Sequence, residues 1–122
     1  MADLHESLIV SFRRVLLRKH YTFVKSPMPT YRPDILAEKT RDGRRMQVVV
    51  EAEILSTLFT EHTINQMVIM NEFIEHQKRK KVAVKGYLLV PPGKSLLSQA
   101  NGLLESLFPE NCEIVACQRY SD

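Results

Sequence analysis

Three carboxylates have the type and spacing for joint chemistry: Asp34, Glu51 and Glu53. Glu51 and Glu53 close the apolar run Gln47-Val48-Val49-Val50-Glu51-Ala52-Glu53. Residues two apart in a strand share a face, so these acids point one way, with α-carbons roughly 6.6 Å apart. Val48, Val50, Ala52 and Ile54 point the other way, into an apolar layer. Asp34 stands near the start of an earlier run, Arg32-Pro33-Asp34-Ile35-Leu36-Ala37-Glu38, and the turn Arg41-Asp42-Gly43-Arg44 joins the two. Pairing of the runs would bring Asp34 to the acidic face. Acids gathered at a strand end are costly unless a positive charge lies between them. Hydrated Mg²⁺ or Mn²⁺ suits such oxygen donors. The same three acids would also serve as a solvated strand end, or as the remnant of a site that has lost its chemistry.

The elements that must position these residues follow from periodicity. Leu4, Leu8, Ile9, Phe12, Val15 and Leu16 recur at helical spacing, with Asp3 as cap and Glu6 as its capping-box partner. Tyr21-Thr22-Phe23-Val24 is β-branched and aromatic, a short strand. Pro27 and Pro29 demand a loop. Asp42-Gly43 is a hairpin signal between the two acid-bearing strands. A second helix is expected from about residue 58 to 77, with Thr60 as a cap and Ile64, Met67, Val68, Asn71 and Ile74 on one side. Ile69, Met70 and Phe73 widen its apolar face, which calls for a sheet or a second subunit against it. Residues 82–90 are nearly all apolar, as in an inner strand. A third helix is expected over 94–108 and a last strand over 113–118. The order is α-β-β-β-α-β-α-β, a single α/β domain over 1–122 with a mixed central sheet flanked by helices.

Composition sets the outer bounds. The chain has 122 residues, 44% hydrophobic and 25% charged, which suits one soluble domain with a real core. No apolar run approaches the ~20 residues of a membrane span. Met-Ala-Asp-Leu-His-Glu lacks the pattern of a signal peptide, and Cys112 and Cys117 suit reduced thiols in the cytoplasm. A net charge of +3 permits nucleic-acid binding. The cations cluster as Arg13-Arg14 with Arg18-Lys19, as Arg41 with Arg44-Arg45, and as Lys78-Arg79-Lys80-Lys81. Such clusters suit solvated helix ends and turns. Placed around one acidic centre, they would also suit a phosphate backbone.

The element order and acidic centre resemble the PD-(D/E)xK nuclease-like superfamily, with its restriction-endonuclease-like fold. Pro33-Asp34 matches the first motif, and Glu51 matches the acid of the second. Glu53 stands where the family has Lys. The chain looks closest to small bacterial members with Pro-Asp-Ile, Val-Glu-x-Glu and Glu-His-Thr-x-x-Gln, here Pro33-Asp34-Ile35, Val50-Glu51-Ala52-Glu53 and Glu61-His62-Thr63-Ile64-Asn65-Gln66. The resemblance implies a metal held by Asp34 and Glu51, with Glu6 of the first helix able to join. Gln66 resembles a Gln of recombination-type nucleases. Glu53 would be a further metal ligand, or take a proton from water. Some restriction endonucleases resembling this pattern carry Glu there and still cut. The expected activity is Mg²⁺- or Mn²⁺-dependent hydrolysis of DNA phosphodiesters, with the broad second helix pointing to a homodimer. The alternative is a binding module that keeps the fold without catalysis.

Overall fold

In a computed structural model of the chain, the described residues are 4–53, 60–91, 102 and 112–116. Helix α1 (Leu4–Arg18) precedes a two-residue strand β1 (Thr22–Phe23) and the hairpin β2 (Ile35–Arg41) and β3 (Arg44–Ala52). Helix α2 (Glu61–Arg79) follows, then β4 (Ala83–Val90) and β5 (Cys112–Ala116). The expected cap Asp3 and most of the expected third helix lie outside the described residues. The five strands form one mixed sheet in the order β1-β2-β3-β4-β5. β1, β2 and β3 run antiparallel to their neighbours, whereas β3, β4 and β5 run parallel.

The hairpin turn is as its residues require. Arg41 pairs with Arg44, leaving a two-residue loop with φ of 53° at Asp42 and 77° at Gly43. Positive φ at both positions is what a type I′ turn needs, and it matches the twist of the strands. Thr60 caps α2 by accepting a hydrogen bond from the Thr63 amide. The helix starts at Glu61, three residues later than its periodicity suggested, because the cap decides the first turn.

Both helices end in the same device. Tyr21 N–H reaches Leu16 O and His20 N–H reaches Leu17 O, while Val82 N–H reaches Gln77 O and Lys81 N–H reaches Lys78 O. These are Schellman closures, in which the residue past the cap is left-handed and usually glycine. Here His20 (φ 69°) and Lys81 (φ 63°) hold those positions.

Alternation along β3 divides the core. Val48, Val50 and Ala52 face α1, packing with Leu8, Ile9, Phe12 and Leu16. Val49 faces α2, packing with Met67, Met70, Phe73 and Ile74 and with Leu88 and Val90 of β4. Both faces of the central sheet are therefore covered. The apolar breadth of α2 is used up within the chain: its large exposed apolar residue is Val68. A second subunit is not needed to bury that face, so the reason given for a homodimer falls away.

Candidate functional site

Asp34 is the last residue before β2, and the register Ile35↔Val50 sets it opposite Glu51. Pro33 has no amide hydrogen, so the ladder stops there. Side chains continue the pairing instead. Asp34 N–H donates to Glu51 Oε1 at 3.1 Å, and Asp34 Oδ2 accepts from Ala52 N–H at 2.8 Å. Glu53 N–H bonds Leu89 O of β4, which anchors the end of the acidic segment.

Glu51 and Glu53 share a face, as their spacing required, but that face lies beneath α2. Glu51 has no exposed surface and Glu53 is 5% exposed. A solvated strand end is thereby excluded. Burial pushes the Glu51 carboxyl up to about 8, helped by the negative charges of Asp34 and Glu53 and opposed by the Asp34 amide. Glu51 Oε2 is buried with no hydrogen-bond partner among the described residues. A buried carboxyl oxygen in that state costs free energy that a proton donor or a cation would recover.

The α1 residue seen at Asp34 is His5, whose Nε2 lies 3.4 Å from Asp34 Oδ2. Glu6, one position on and turned by roughly 100°, is exposed. From sequence His5 reads as a surface residue; its side chain is 38% exposed, and its place at the start of a helix facing Asp34 brings it to the carboxylate. Gln66 is half-buried on α2, just before the core residue Met67, and makes no hydrogen bond to Asp34 or Glu51.

Among the described residues of β3 and β4, no Lys shares the face of Glu51. Arg45 and Gln47 share the parity of Glu51 but sit toward the hairpin. There Arg45 Nη2 holds Glu38 Oε1 at 2.7 Å, Gln47 Nε2 donates to the same oxygen, and Gln77 Nε2 donates to Gln47 Oε1 at 2.9 Å. Arg45 and Gln47 keep the Glu38 carboxylate below the usual range. Lys85 of β4 pairs with Val48, and its parity with Tyr87 places it on the α1 face.

A cleft of about 570 Å³ opens beside Asp34, between β1 and the loop that precedes β2. Arg13, Lys25 and Arg32 contribute to its walls. Arg13 is held over the Phe23 ring at 4.6 Å. Compared with family models, curated proteins and solved structures, the chain finds no match.

Among the described residues, no group of three His, Cys, Asp or Glu side chains is arranged to hold a metal ion. Asp34 and Glu51 meet through the Asp34 amide and Glu51 Oε1, the Asp34 carboxylate accepts from the Ala52 amide, and Glu51 Oε2 has no partner among the described residues. Mg²⁺ commonly binds through one or two carboxylates and keeps several waters. Asp34 lines the cleft, Glu51 lies buried outside that lining, and no all-protein cage is arranged among the described residues.

Proposed function

We propose that the chain is a nuclease-like protein in which Asp34 and Glu51 hold Mg²⁺ or Mn²⁺ for phosphodiester hydrolysis. The observation that carries this reading is the orphaned Oε2 of a fully buried Glu51 beside Asp34. The cationic cleft at Asp34 supports it, since Arg13, Lys25 and Arg32 are placed to hold the phosphates of a DNA strand. A bound divalent ion would activate water and steady charge on the phosphate. Asp34 presents its carboxylate at the cleft, while its amide fixes Glu51 Oε1. Glu51 must release its proton before it can act as a ligand. Glu53, on the same face, supplies a further oxygen or accepts the proton of the attacking water.

The second reading is a nuclease-fold module that binds without cutting. It is favoured by two facts: Glu51 favours its protonated form near neutrality, and no Lys stands on its face of β3 or β4. Plasmid nicking with Mg²⁺ or Mn²⁺ separates the two. The nuclease reading expects nicking by the native chain, loss with chelator and loss in Glu51→Gln. No nicking, or equal nicking by Glu51→Gln, rejects it in favour of the module.

A further inference from the structure

Apart from Arg13, which lines the cleft beside Asp34, the three basic clusters do not surround the acidic centre. The hairpin reverses β2 into β3, so Arg41 and Arg44 lie at the end of the sheet opposite Asp34 and Glu51. That separation is roughly 20 Å, at about 3.3 Å per residue along β3. Helix α2 crosses back to the start of β4, where Ala83 pairs with Met46, so Lys78-Arg79-Lys80-Lys81 reaches this same end. The last turn of α1 reaches it too, because Lys39 Nζ of β2 bonds Lys19 O at 3.3 Å. Outside these segments the chain is net acidic, since its whole charge is only +3.

The cations of this end are exposed, and Arg41, Arg44 and Lys81 have no ion-pair partner among the described residues. Acids nearby are few: Glu38 is taken by Arg45, Glu75 lies 3.5 Å from Lys78, and Asp42 sits at the turn. Arg41 and Arg44 flank a shallow groove of about 440 Å³ with Asp42 and Met46. Lys81 closes α2 at a positive φ of 63°, the same device that His20 supplies at the end of α1, and this sets its exposed side chain at the start of β4.

We propose that this end binds the phosphodiester backbone of a nucleic-acid duplex, without sequence preference, separately from the carboxylate site. The cations come from three layers roughly 10 Å apart, helix on sheet on helix, and so form a rigid row of about 20 Å. A duplex offers one negative charge per ~1.7 Å along its axis, a continuous partner for such a row. Guanidinium groups paired across a hairpin match phosphate oxygens in a fork. A lipid surface fits less well, because the turn Arg41-Asp42-Gly43-Arg44 has no apolar side chain to insert and Leu17 is the one large exposed apolar residue among the described residues of this end.

The test is fluorescence anisotropy of a labelled DNA duplex titrated with the full chain in excess chelator, over a range of salt. Binding should weaken steeply with salt, and Arg41→Ala with Arg44→Ala should lower the log–log salt slope by about 2. Lys81→Gly should weaken binding while raising the melting temperature, which excludes misfolding as the cause. The titration is run in chelator, without the ion the nuclease reading needs, so a failure of that reading would leave this result standing. Absent or salt-independent binding, an unchanged slope in the double variant, or stronger binding to phosphatidylserine vesicles than to duplex would overturn the proposal.

Discussion

Asp34 and Glu51 hold each other through one backbone group and one carboxyl oxygen: the Asp34 amide donates to Glu51 Oε1 at 3.1 Å. The link is asymmetric. Asp34 keeps its side chain at the cleft and spends one oxygen on the Ala52 amide, while Glu51 is buried with its second oxygen unpaired. A residue pair that closes the end of a hairpin is thus also the pair that would bind a cation.

The first expectation is a stability that falls with rising pH. Glu51 titrates near 4.5 when unfolded and at about 8 when folded. Between those values the folded chain holds a proton that the unfolded chain has released. Its contribution is fully present below pH 4.5 and is lost as pH rises through 8, on the order of 5 kcal/mol in all. Urea unfolding at several pH values in chelator should show the decline, and Glu51→Gln should flatten it. A native chain equally stable at both ends of that window would count against a buried, protonated Glu51.

Asp34 should matter for folding before it matters for catalysis. Asp34→Ala leaves the Ala52 amide without its acceptor, at a cost of about 1–3 kcal/mol. Asp34→Asn keeps a carbonyl oxygen there and should cost clearly less. Denaturant midpoints of the two variants measure the difference.

Cation binding should be coupled to proton release. Glu51 must ionise to become a ligand, so Mn²⁺ affinity should rise about tenfold per pH unit below 8. Calorimetry in buffers of different ionisation enthalpy reads the released proton directly. Glu51→Gln should abolish both the heat and the rise in melting temperature. Proton-independent binding would place the ion elsewhere.

The polar chain at the other end of the same face makes a separate prediction. Gln77 Nε2 donates to Gln47 Oε1 in a buried setting. Gln77→Leu strands that acceptor and should cost about 1–3 kcal/mol. Adding Gln47→Leu should cost less than the two single changes summed, and a double-mutant cycle tests this.

Much of the fold was legible because local signals were strong. Asp42-Gly43 announced the hairpin, Thr60 the cap, and the spacing of Glu51 and Glu53 their common face. What the spacing left open was the environment of that face. Alternation shows which residues share a side and not what covers it, so Glu51 was placed among acids without its burial under α2. The width of α2 pointed to a partner because sequence does not show that Leu88 and Val90 would occupy it. The basic clusters misled for a related reason. Their positions along the chain do not tell which end of a sheet they reach; the hairpin and the crossover of α2 decide that. The cleft was not legible at all, since Arg13, Lys25 and Arg32 meet only through folding.

Strand β1 is only two residues long, and the loop after it carries Pro27 and Pro29. An exposed strand invites copies of a chain to zip together through unpaired amides, the first step toward fibrils. So short a border, followed by residues that lack amide hydrogens, leaves little for a neighbour to template on.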